Sequence, residues 1–351
     1  MRHSKAIVFR QRVFRQRAPK SIAFCKGHCY RVFDRVRSRL KSLTFGVSEN
    51  ERRNYERLES VRYRKRPFPY LLNLVPVARG DVLVGSNRTN SVLRFDECSG
   101  QLVGEFIPSG SGGLMRPGGV AAGPDGNLYV SSNATNAVLR YDGRTGEFID
   151  VFATGNGLNK PSALTFGPDG NLYVNSQGSN AVLRYDGATG HFIDLFATSD
   201  QIDQDSTGLT FGPDGNLYIN SHRTNSVVRF DGKTGAFLGI FASGPELQQR
   251  AGLIFGPDGN LYVASHGPNP VLRYDGATGT FIDIFVAAGS GEIRNPTALT
   301  FGRDGNLYVD SRGNSRVLRF DGAKGTFLDT FVPQGTGGLN APNSILFRYS
   351  P

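Results

Sequence analysis

The chain has 351 residues, a net charge of +10, 38% hydrophobic residues, 45 glycines and no tryptophan. That much glycine suits a turn-rich all-β protein and argues against a helical one. Three cysteines are too few for a disulfide framework, and no apolar run approaches the roughly 18–20 residues of a membrane-spanning helix.

In chain order, the first element is a basic extension. Residues 1–66 hold 20 Lys/Arg and 5 Asp/Glu, which leaves 20 basic and 25 acidic residues for 67–351, a net of −5. The pI therefore describes the extension and not the rest of the chain. Its interleaved arginines and aromatics (VFRQRVFRQR, YRVFDRVRSRL) are a pattern that can bind phosphates and stack bases, so nucleic acid is a candidate partner for 1–66. Cys25, His28 and Cys29 lack the second ligand pair of a metal site. The extension is read as a disordered segment or as upstream translation that is not part of the working protein, followed by a linker over 67–79. It lacks the apolar core of a signal peptide.

From residue 80 to the end the sequence repeats itself. G-x-D-G-N-L-Y begins at Gly123, Gly167, Gly212, Gly256 and Gly302, and V-L/V-R-F/Y-D ends at Asp96, Asp142, Asp186, Asp231, Asp275 and Asp321. Periods of 44 to 46 residues in six copies make six units. Each unit reads as four short strands. In the third, Ala163–Phe166, Asn171–Asn175, Ala181–Tyr185 and His191–Ala197 are joined by Pro-Asp-Gly and Asp-Gly turns, chemistry suited to tight hairpins. Both faces of every strand are apolar, as expected for sheets packed between two neighbours. The reading is a six-bladed β-propeller of four-stranded antiparallel blades over 80–351, expected to be a monomer. The first unit lacks a good first strand, and the chain ends on a lone copy of one. Residues 344–348 are therefore expected to close the ring.

The pattern P-x-x-L-x-F-G-P-D-G-N-L-Y-V followed by N-x-V-L-R-Y-D resembles the NHL-repeat family and its six-bladed relatives. Such relatives include protein- and RNA-binding domains, sugar lactonases and streptogramin-inactivating lyases, and many are exported or cell-surface proteins. The resemblance implies the architecture and leaves both a binding and a lyase- or lactonase-like activity open.

Six copies supply an internal control: what recurs serves the blade, and what varies is free to serve a ligand. The Asp-Gly turns recur, and so do the arginines Arg94, Arg140, Arg184, Arg229, Arg273 and Arg319, which are expected to pair with carboxylates such as Asp150, Asp194 and Asp283. Variation lies just after the second strand, where Asn87, Asn133, Gln177, His222, His266 and Arg312 follow a recurrent serine. These six are the candidate ligand-binding residues, with His222 and His266 in adjacent blades. The first strands carry no Asp, Glu or His, and Ser86, Ser132, Ser176, Ser221, Ser265 and Ser311 stand where enzymes of this type place an acid. Asp310 comes one position early and is expected to face the other side of its strand. No catalytic residue, metal or cofactor is assigned. The expectation is a non-catalytic domain for a protein or carbohydrate ligand. The mixed-charge, glycine-rich rim does not suit nucleic acid. A metal-assisted lyase or lactonase with His222 or His266 as base is the alternative.

Overall fold

The computed structural model describes residues 80–203, 206–245, 247, 252–266 and 269–348. The extension and the linker lie outside these. Among the described residues no helix is long and apolar enough to cross a membrane.

The described residues form six four-stranded antiparallel sheets. Blades 2 and 3 run Pro117–Ala122, Leu128–Ser132, Ala137–Tyr141, Phe148–Thr154 and Pro161–Phe166, Leu172–Ser176, Ala181–Tyr185, Phe192–Thr198, innermost strand first. In blades 4, 5 and 6 the innermost strands are shorter, at Leu209–Phe211, Leu253–Phe255 and Leu299–Phe301. Blade 1 takes its second to fourth strands from Asp81–Ser86, Ser91–Asp96 and Leu102–Ile107, and its innermost strand from Pro342–Arg348. Closure is antiparallel, Val82 opposite Phe347 and Val84 opposite Ile345. Arg348 clasps the seam, donating to the Asp81 carboxylate and to the Gly143 carbonyl of blade 2.

The repeated words have a packing explanation. The tyrosine of D-G-N-L-Y is fully buried and meets two phenylalanines edge to face, one in its own outer strand and one in the next blade. Tyr129, for example, lies 4.7 Å from Phe152 and 4.9 Å from Phe166. Tyr308 extends the series to Phe347 of the closing strand, at 4.9 Å. Edge-to-face pairs add roughly 0.5–1.5 kcal/mol each beyond area burial, and here they run from blade to blade. The hairpin aspartate accepts from that tyrosine: Tyr129 Oη donates to Asp125 at 3.0 Å, and the Asn127 side chain donates to the same carboxylate at 2.7 Å.

Four recurrent arginines make two-pronged pairs with outer-strand aspartates, Arg140–Asp150, Arg184–Asp194, Arg273–Asp283 and Arg319–Asp329, with closest approaches of 2.5–2.6 Å. In blades 1 and 4 glycine (Gly104, Gly239) replaces the aspartate, and Arg94 and Arg229 lie 3.8–3.9 Å from Asp81 and Asp214 instead. The outer strands depart from the sequence reading. Second and third strands are buried on both faces, but Ile193 and Leu195 are 43% and 53% exposed, as are their counterparts in other blades. Blades diverge with radius, so the outermost strand lacks a close neighbour on either side.

Candidate functional site: the axial mouth

Because the strands alternate in direction, the second-to-third and fourth-to-first loops emerge at one end of every blade. Three successive residues at the end of each second strand organise that end.

The recurrent serine is a clamp. Ser132 Oγ accepts from the Met115 amide at 3.0 Å and donates to the Met115 carbonyl at 3.2 Å. Ser86, Ser176 and Ser311 hold Asn340, Asn159 and Arg294 in the same way. These four serines pin the loop arriving from the previous blade, which accounts for them without any ligand.

The preceding residue turns onto the innermost strand. Asp310 is completely buried: Oδ1 accepts from the amides of Thr297 (2.6 Å) and Ala298 (2.8 Å), and Oδ2 from the Thr297 hydroxyl (2.7 Å). Asn220 Oδ1 accepts from Thr207 and Gly208 in blade 4. In both blades the innermost strand starts late, and the side chain supplies acceptors that the missing ladder would have provided. Burial pushes the Asp310 carboxyl up to about 7, against the opposing pull of its donors and the Arg312 charge. Asp310 thus faces the opposite side from Ser311, in keeping with strand alternation, and serves the blade.

The following residue is the varying one. Asn87 and Asn133 donate from Nδ2 to the carbonyls of Pro117 (3.0 Å) and Pro161 (3.1 Å), and Gln177 Nε2 donates to Ser206 O at 3.3 Å. Asn87 and Asn133 thereby tie their blades to the innermost strand of the next, and Gln177 to the segment just before it.

These residues ring a cavity of about 500 Å³ on the propeller axis. Its deeper wall includes an aliphatic set, one per blade: Val120, Leu164, Leu209, Leu253, Leu299 and Ile345. Small residues above them keep it open. At Gly252 an added Cβ would lie 2.4 Å from the Thr297 carbonyl oxygen, so neighbouring innermost strands need glycine there. Asn87, Asn133, Gln177 and Arg312 line the mouth. His266 instead lines an adjoining groove of about 360 Å³ with Arg88, Asn295 and Arg312, while His222 lines neither. The structure thus brings four of the six candidates together and does not place the two histidines in one cavity.

Sequence reasoning passed over Arg88. It stands at the position occupied by Ala134, Gly178, Gly267 and Gly313 in other blades and by Arg223 in blade 4, and that departure from small residues was the available signal. Arg88 and Arg312 line both cavities, and Arg116 lines the axial one. Arg116 has a left-handed backbone (φ 52°), fixed by its amide donating to Asn90 Oδ1 at 2.8 Å. Among the described residues no Asp or Glu lines either cavity, and no three of His, Cys, Asp and Glu gather as metal ligands.

No protein-family model matches the chain, and no curated protein matches it. Solved structures do. A chain from a nidogen/laminin complex is 16% identical, with a TM-score of 0.64 over 77% of this chain and 99% of that one. A protein of unknown function from Bacteroides caccae is 16% identical, with a TM-score of 0.61 over 78% and 100%. A catalytically inactive virginiamycin B lyase from Staphylococcus aureus, solved with quinupristin, is 17% identical, with a TM-score of 0.54 over 79% and 94%. At these identities the likeness establishes the six-bladed propeller fold, which binding proteins and enzymes share.

Proposed function

We propose that the propeller is a non-catalytic binding domain whose ligand docks on the loop end, centred on the axial mouth. The observation that carries this reading is the contrast within the repeat. Recurrent polar groups at the turn end are consumed by their own blades, whereas the mouth presents a varied polar set, Asn87, Arg88, Arg116, Asn133, Gln177 and Arg312, over a concave, partly apolar cavity. A protein is the favoured ligand class, since a propeller of this fold occurs in a complex of nidogen with laminin, and a carbohydrate is the other class.

The test is an array of candidate proteins and glycans probed with the full chain and with an Asn87→Ala/Gln177→Ala/Arg312→Ala variant. The variant should lose the captured ligand while keeping its cooperative thermal unfolding. Undiminished capture by the folded variant would overturn the reading. The alternative, a lyase- or lactonase-like enzyme, draws on His266 in the adjoining groove and on the lyase of the same fold. It predicts turnover of lactone or streptogramin substrates that His266→Ala abolishes.

A further inference from the structure

We infer that the mouth is an anion-binding subsite: Arg88, Arg312 and Arg116 receive a single carboxylate or phosphate group where the axial cavity meets the adjoining groove. The inference takes its location from the loop-end reading above and adds the chemistry of what is recognised.

Three observations support it. First, Arg88 and Arg312 line both cavities and Arg116 lines the axial one, with no acidic side chain among the described lining residues. Second, neither Arg88 nor Arg116 pairs with a carboxylate among the described residues, and both are exposed. Elsewhere on the same rim an arginine at the equivalent position sits beside acidic residues. In blade 4, Arg223 Nη1 donates to the Asp200 carbonyl at 3.4 Å and its amide to the Asp203 carboxylate at 2.5 Å. The recurrent arginines of blades 2, 3, 5 and 6 all have aspartates. Third, the backbones of the two outlying arginines are held in place. The Arg88 amide donates to Asn340 O at 3.3 Å, and Arg116 is held by Asn90 and accepts from the Asn133 amide at 3.2 Å.

Guanidinium groups present planar forks that match carboxylate and phosphate oxygens. A concave mouth with low-dielectric walls focuses their field on one point. Within the two cavities the basic set is confined to Arg88, Arg116 and Arg312, a cluster sized for one anionic group. The aliphatic wall below leaves room for a short apolar body behind the charged head.

The experiment titrates the full chain calorimetrically with citrate, inorganic phosphate, a capped tri-glutamate peptide and a ten-nucleotide single-stranded RNA. Because residues 1–66 carry net +15, comparisons are made between full-length chains that differ only at chosen positions. Arg88→Gln/Arg312→Gln should weaken citrate, phosphate or peptide binding by about tenfold per arginine, about 1.4 kcal/mol each, while Arg88→Lys/Arg312→Lys should retain most of it. Arg144→Gln/Lys233→Gln/Lys324→Gln removes exposed charge at the opposite end and should leave binding intact. Binding of citrate or phosphate points to a small free anion, and binding of the peptide alone points to an acidic protein segment. Equal affinity of wild type and the folded Arg→Gln variant for every probe would overturn the inference. So would arginine-dependent RNA binding that citrate does not compete. Ligand capture that depends on Asn87 and Gln177 without any anion binding would sink this inference and leave the loop-end reading standing.

Discussion

The two ends of the same blades follow different rules. At the turn end, one arrangement is copied around the ring: aspartate to asparagine and tyrosine in the first hairpin, aspartate to the next turn in the second. At the loop end, equivalent positions hold Asn, Gln, His and Arg, and the amides of Asn87, Asn133 and Gln177 share a bonding pattern. Repetition marks groups that the architecture requires, and divergence marks groups that it can release for recognition. Asp310 is an exception, a varying residue at the loop end that is fully buried and bonded like a structural one, and Asn220 shares its arrangement in blade 4.

That exception gives the largest expected effect. With the Asp310 carboxyl at about 7 when folded and about 3.9 when unfolded, the native state keeps a proton that the unfolded chain has lost. The stability it contributes is full below about pH 3.9 and is lost as pH rises through about 7, by up to roughly 4 kcal/mol at about 1.4 kcal/mol per pKa unit. Asp310→Asn, which copies Asn220, should abolish this slope. Thermal unfolding at pH 5 and pH 8 should show the variant gaining on wild type at the higher pH, and parallel curves would refute the assignment.

At the turn end, Gly232→Ala would place a Cβ 1.7 Å from the Gly215 carbonyl oxygen and should cost about 3 kcal/mol by denaturant unfolding. Asp169→Ala strands the Tyr173 hydroxyl and the Asn171 amide and should cost about 2 kcal/mol. Gln177→Ala at the loop end loses two long neutral inter-blade bonds, to Ser206 O at 3.3 Å and from Asn133 Nδ2 at 3.4 Å, and should cost about 1 kcal/mol. Arg88→Gln should stay within about 0.5 kcal/mol of wild type. If the loop-end substitutions cost as much as the turn-end ones, the division between the two ends fails.

The architecture was legible because every blade states it again. The words D-G-N-L-Y and V-L-R-Y-D encode hairpin, inter-blade tyrosine and ion pair together, and their period counts the blades. The arginine–aspartate pairs could be named from spacing alone. The site was less legible. Which residue reaches the axis depends on loop path and on where a second strand stops, and periodicity does not report either. Blade 5 ends its second strand at Ala264, one residue short of the serine that ends the second strand in the other blades, and His266 lies in the groove beside the mouth. The exposed outer strands were missed for a related reason. Alternation shows that a residue is apolar, but the widening gap between blades decides whether anything covers it.

The seam in blade 1 also bears on how the protein is made. Asp81 and Arg348, 267 residues apart, must meet before the ring exists. Blades 2 to 6 can each form from a contiguous stretch as it leaves the ribosome, but blade 1 must wait for its innermost strand. At about 5–20 residues per second, the nascent protein spends tens of seconds as an open arc with two unfinished apolar flanks. In that interval chaperone capture competes with aggregation, and the arrival of the Pro342–Arg348 strand brings it to an end.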